Sequence, residues 1–203
     1  AAGGYRNDGA GSEAGHVRVF EYSSGTWSQL GADIDGESAG DYAGVSIALS
    51  SNGQIVSVGS LSNDNNGTDA GHVRVFEYSN SSWSQMGADI NGESAGDNSG
   101  FVSLSSDGLT IAIGAWKNDG TATDAGHVRV YEYANGAWSQ LGSDIDGEAA
   151  GDNSGWSVSL SGDGTRLSVG AHLNYGTTGS QSGHVRVFEY ANGSWIQLGA
   201  DID

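Results

Sequence analysis

The chain has 203 residues, with 35 glycines, no proline, no cysteine and a formal net charge of −18 set against only seven Lys and Arg. Phosphate recognition needs clustered cations, so nucleic acid is excluded as a partner and an anionic membrane surface is disfavoured; without cysteine there are no disulfides and no thiolate metal sites. The length is ample for one domain with a core, the 36% hydrophobic content argues against disorder, and no apolar run reaches the roughly 20 residues of a membrane helix.

The chain opens on "AAGGYRND", with neither an initiator Met nor a signal pattern. It is therefore expected to be a processed or excised piece. Next comes "GHVRVFEY" (15–22), which returns at 71–78 and 183–190 and, as "GHVRVYEY", at 126–133. The spacings are 56, 55 and 57 residues, and four of the seven cations are the Arg of this phrase. "GTWSQLGADID" (25–35) follows, then "GESAGDYAG" (36–44), "VSIALSSNG" (45–53) and "QIVSVGS" (54–60). A loop rich in Asn, Asp, Gly and Thr leads back to the octapeptide. The series then repeats with small changes, giving approximate units 1–35, 36–91, 92–146 and 147–203 of a single repeat domain.

Each unit holds four short runs of alternating apolar residues separated by Gly, Asn, Asp and Ser, the pattern of successive strands. "SNG", "SDG" and "GDG" supply tight hairpin turns. A four-stranded sheet cannot bury both faces alone, but copies stacked around an axis can. The expected fold is all-β: a β-propeller, or a related stack, with one four-stranded antiparallel blade per repeat of about 56 residues. Four complete units would need roughly 21 more residues, so a longer array or a neighbouring chain is expected to complete the edge. One first strand, "GFVSLSSDG", is a residue shorter than "GWSVSLSGDG". An irregularity is expected beside Phe101, with Val102 and Leu104 facing inward.

The order "GDNSGWSVSLSGDGTRLSVGAH…GHVRVFEY" resembles the FG-GAP repeats of integrin α-subunits and many secreted bacterial proteins. "SGF" and "SGW" stand where that family has Phe-Gly. "VGS", "IGA" and "VGA" stand where it has Gly-Ala-Pro, and "GHVRVF" at its Gly-led third strand. The resemblance implies an extracellular propeller, commonly seven-bladed, used in adhesion and ligand binding. It also implies calcium in an Asp-x-Asp-x-Asp-Gly loop between the first two strands; "LSSNG", "LSSDG" and "LSGDG" lack most of those carboxylates.

Fourfold copying points away from catalysis, since an active site is normally assembled once. There is also no Gly-x-Ser-x-Gly elbow, P-loop or His-Glu-x-x-His. The sequence is read as not being an enzyme. Arg18, Arg74, Arg129 and Arg186 are expected to be buried between blades and paired with carboxylates. Trp27, Trp83, Trp138 and Trp195 are expected to cover blade edges or fill the space between blades. The non-repeating Tyr5, Trp116, Trp156 and Tyr175 are the candidates for a binding surface, and His172 reads as a loop surface residue.

The acidic connections are the metal candidates, read as Ca²⁺ sites: Asp33, Asp35, Glu37 and Asp41; Asp89, Glu93 and Asp97, with Asn91 between; Asp144, Asp146, Glu148 and Asp152. Sequons at Asn66, Asn80 and Asn192 are possible glycosylation sites. The function expected is an extracellular or cell-surface segment acting in adhesion, protein interaction or assembly of a layer or filament. Its partner would be a protein, a glycan or further copies of itself. The alternative is a lectin that binds carbohydrate on its aromatic loops.

Overall fold

The four repeats fold as four β-blades in a computed structural model that describes residues 1–175 and 181–203. Blade 1 comprises β1 (Ala2–Gly3), β2 (His16–Arg18), β3 (Phe20–Ser23), β4 (Thr26–Gln29) and β5 (Ile34–Asp35). Blade 2 comprises β6 (Ser46–Leu49), β7 (Ile55–Ser60), β8 (His72–Ser79), β9 (Ser82–Gln85) and β10 (Ile90–Asn91). Blade 3 runs through β11 (Ser99–Leu104), β12 (Thr110–Ala115), β13 (His127–Ala134), β14 (Ala137–Gln140) and β15 (Ile145–Asp146). Blade 4 has β16 (Ser154–Leu160), β17 (Arg166–Ala171), β18 (His184–Ala191) and β19 (Ser194–Gln197). There is no helix among the described residues.

Within a blade the strands form an antiparallel meander, as in β11-β12-β13-β14. Two-residue turns such as Asn135–Gly136, both at positive φ, close the last hairpin. The fourth strand is split, which the alternating pattern does not foretell. β9 pairs with the end of β8 and β10 with its beginning. Gly87, at φ 71°, turns the chain between them. The Gln85 amide then donates to Asp89 Oδ1 at 2.7 Å and fastens the kink. Gln29–Asp33, Gln140–Asp144 and Gln197–Asp201 repeat this clasp.

The octapeptide strands of blades 2 and 3 bury both faces over their first five residues, so the blades stack. Val73 and Val75 pack with Val102, Leu104, Ile111, Ile113 and Tyr131 of blade 3. Val128 and Val130 do the same against Leu160, Leu167, Val169 and Phe188, and Val17 and Val19 against Val56, Val58 and Phe76. Adjacent first strands are also tied directly, through Val102 N–H to Ser46 Oγ and Leu160 N–H to Ser103 Oγ. The closest approach is made by backbone: a Cβ on Gly59 would overlap the carbonyl oxygen of Gly100, and one on Gly114 that of Gly155.

The irregularity beside Phe101 is present, as a register shift between Ser99 and Phe101, and Val102 and Leu104 are buried. It is not peculiar to that strand. β16 shifts between Ser154 and Ser157, leaving two residues unpaired where β11 leaves one. The missing residue shortens a bulge common to the blades and does not flip the strand.

Candidate functional site

The repeated cations sit in the joints between blades. Arg74 donates to the carbonyl oxygen of Asp35, Arg129 to that of Asn91 and Arg186 to that of Asp146, at 2.5–2.7 Å. The same guanidinium groups lie 3.5–3.8 Å from Glu37, Glu93 and Glu148 on the preceding connection, and stack over Phe76, Tyr131 and Phe188. The expectation of carboxylate pairing is thus corrected in emphasis, because the short bond goes to a backbone carbonyl of the blade before. Arg18 departs further. With no earlier blade among the described residues, it stays exposed and turns back on Asp33 with two charge-assisted bonds. Those bonds, with that of Gln29, hold the Asp33 carboxyl down at about 2.

The repeated tryptophans serve the same joints. Trp83, Trp138 and Trp195 donate through Nε1 to the carbonyls of Leu30, Met86 and Leu141 in the blade before. Each ring also lies against the facing tyrosine of its own hairpin. Trp27, in blade 1, is 69% exposed.

The acidic connections do not project their carboxylates to one side, as strand alternation implies; the structure divides them. Asp41, Asp97 and Asp152 are buried, and each accepts from backbone N–H groups of its own turn and from the amide of Asn63, Asn118 or Asn174. They are turn anchors. Asp35 and Asp146, like Asn91, lend their main-chain oxygens to the arginines. Asp107 accepts from Ser105 and Leu109 in its own turn, and Asp163 from Ser161 and Thr165.

The remaining acids meet a histidine of the octapeptide. Glu37, His72 and Asp89 converge in blade 2, Glu93, His127 and Asp144 in blade 3, and Glu148, His184 and Asp201 in blade 4, with one ligand atom from each within 4.8 Å of the others. In blade 1 the group is His16, Asp33 and Asp35. Neither the histidines nor Asp201 figured among the expected ligands. The fourfold "GHVRV" beside fourfold "GAD/GSD" was the available signal.

Burial, reinforced by the neighbouring arginine, lowers the His72 and His127 imidazoles from their ordinary value, against the pull of Asp89 and Glu37 or Asp144 and Glu93. Both are neutral in the fold, and the unfolded chain takes up the extra protons. Stability is therefore expected to be full above about pH 6.5 and to fall as the pH drops through the ordinary imidazole range. Melting temperatures of the wild type and His72→Gln between neutral and mildly acid pH check this: the loss should be smaller in the variant.

The four candidate binding aromatics are not brought together. Trp116 and Trp156 meet edge to face at 4.9 Å, joined by Phe101 and His172, where the bulges of blades 3 and 4 face the loops after their second strands. Lys117 lies over the Trp116 ring. Tyr5 sits apart, against Tyr42, beside a 230 Å³ cavity that also touches Leu61. Tyr175 borders a separate 330 Å³ cavity with Glu148, His184 and Asp201. Of the sequons, Asn80 and Asn192 are exposed in hairpin turns, whereas the Asn66 amide is engaged with the carbonyls of Gly92 and Glu93.

With this geometry in place, comparison with known proteins is informative. Residues 144–188 match the family model described as the FG-GAP repeat. No curated protein matches the chain. Among solved structures, the "putative 6-phosphogluconolactonase" of Bacteroides uniformis ATCC 8492 superposes with a TM-score of 0.61 at 14% identity, over 93% of this chain and 48% of its own. The periplasmic gluconolactonase PpgL of Pseudomonas aeruginosa gives 0.56 at 19%, over 91% and 50%. TolB of Acinetobacter baumannii gives 0.51 at 16%, over 91% and 37%. The fold is a β-propeller, and the chain spans about half the length of the first of these or less. Two of the three bear lactonase names, so the fold accommodates enzymes. The exclusion of catalysis drawn from fourfold copying does not hold.

Proposed function

We propose that the chain is part of an extracellular propeller that works in adhesion or surface assembly by docking further blades of its own kind on its two outer faces. One observation carries this reading: those faces are the two halves of the joint repeated inside the molecule. Val128 and Ile145 are 0% and 5% exposed beneath blade 4, whereas their equivalents Val185 and Ile202 are 37% and 61% exposed. On the other side Phe20, Tyr22 and Trp27 are exposed, and Ala1, Phe20 and Trp27 line a cavity of 370 Å³. A further unit of the same sequence brings the surface each face lacks. The match to the FG-GAP repeat supports an extracellular setting, and among the described residues no helix is long and apolar enough to cross a membrane.

Because the faces differ, the contact is head-to-tail, and copies would close a ring or grow a filament. Light scattering is expected to show mass rising with concentration, and Ile202→Asp, which buries a charge in the joint, to abolish the rise. Equal mass for both proteins at every concentration would contradict the proposal. The exposed Trp156, stacked with Trp116 and His172, supports a second reading, a glycan or protein platform. Binding on a glycan array that vanishes in Trp156→Ala would support that reading.

A further inference from the structure

We infer that the joints of blades 2 and 3 are binding sites for a divalent transition-metal ion of the zinc class, held by Glu37, His72 and Asp89 in one and by Glu93, His127 and Asp144 in the other. Two acids near one another are not a site in themselves. What distinguishes these is the buried imidazole, whose Nε2 has no hydrogen-bond partner in either joint. The His72 side chain is wholly buried, and neither of its nitrogens has a hydrogen-bond partner among the described residues. A buried polar group left in that state is unfavourable by about 1–3 kcal/mol. Its Nδ1 points between two oxygens, 3.9 Å from Glu37 Oε2 and 3.9 Å from Asp89 Oδ2. In blade 3 the distances are 3.9 Å to Glu93 Oε2 and 3.8 Å to Asp144 Oδ2. These spacings are too long for hydrogen bonds. A tetrahedral ion with bonds near 2.1 Å would set its ligands roughly 3.4 Å apart, so each imidazole–oxygen distance need contract by about half an ångström.

The second oxygens of the carboxylate ligands are already engaged, as metal-binding carboxylates usually are, while Nε2 of each imidazole is not. Asp89 Oδ1 accepts from Gln85 and Asp144 Oδ1 from Gln140. Glu37 and Glu93 turn their Oε1 atoms to Arg74 and Arg129. Oε2, Oδ2 and Nδ1 converge, with one long bond of 3.4 Å reaching Glu37 Oε2 from the Asn65 amide. An imidazole nitrogen suits zinc and its neighbours and does not suit calcium, which takes oxygen. Three protein ligands leave one position for water or an outside group. Each ion would join the connection that leaves one blade to the third and fourth strands of the next, and so fasten the stack. Blade 1 falls outside the inference, because Arg18 occupies Asp33 there.

The test is calorimetric titration of chelator-stripped protein with zinc at neutral pH, with the absorption spectrum of the cobalt form as a second readout. At least two equivalents are expected to bind, with a rise in melting temperature. Asp144→Asn should remove one equivalent, and Gln140→Ala should weaken one site by about tenfold or more. The exposed Glu132→Gln should change neither. Three results would overturn the inference: no zinc binding, an unchanged count in Asp144→Asn, or displacement of zinc by a modest excess of calcium. The melting temperature of Asp144→Asn without metal shows whether that variant is folded, so a lost equivalent is read only from folded protein.

Discussion

Gly114→Ala is expected to destabilise the protein by about 3 kcal/mol or more, whereas Gly170→Ala, at the same place one blade later, stays within about 1 kcal/mol of the wild type. Both glycines lie in second strands. The added methyl of the first would overlap the carbonyl oxygen of Gly155, which belongs to the bulge of the following blade and cannot give way without parting the two sheets. At Gly170 the methyl meets only Ser157, whose hydroxyl is the end of a rotatable side chain, and no other blade lies against it among the described residues. Interiors packed at crystal density tolerate the second situation and not the first. Urea midpoints of the two variants decide the matter. Similar losses in both would mean that blade contact is not what the glycine serves.

The second large effect concerns Arg129. Its truncation to alanine is expected to remove about 3–5 kcal/mol, because the Asn91 carbonyl and the Glu93 carboxylate lose their common donor at a buried joint. Lysine should recover only part, since a single ammonium cannot reach both oxygens as a planar fork does. Arg18→Ala is the internal comparison. Its guanidinium is exposed and screened by water, so the loss should be far smaller than at Arg129. Thermal or urea denaturation of the three variants measures this contrast, and equal losses at Arg18 and Arg129 would remove the joint from the explanation.

The strands, their number per blade and the burial of three of the four repeated arginines between blades were legible in the sequence. Period-2 alternation and a 56-residue repeat leave few other ways to bury both faces of a sheet. The split fourth strand was not legible by alternation, because alternation presumes an extended backbone and Gly87 is left-handed. The same turn swings Asp89 away from Asn91, so acids adjacent in sequence part company. One reaches a histidine, another lends its carbonyl to an arginine, and a third, such as Asp97, folds inward to cap its own turn. The repeated "SQLGAD" held the clue, as glutamine four residues before aspartate in every copy, but its meaning depends on a kink that only the backbone reveals. The aromatic cluster was half legible: Trp116 and Trp156 meet, yet Tyr5 packs on Tyr42 and Tyr175 borders a separate cavity.

That the two outer faces are halves of one joint is tested most directly by Val185, exposed on the outer face of blade 4 where its equivalent Val128 is buried. In the isolated chain a carboxylate there stays in water, but against a further blade it would be buried without a partner. Sedimentation velocity over a range of concentrations should show the wild type associating, and Val185→Asp remaining a monomer with a little-changed melting temperature. Association of both proteins to the same extent, or of neither, would contradict the account.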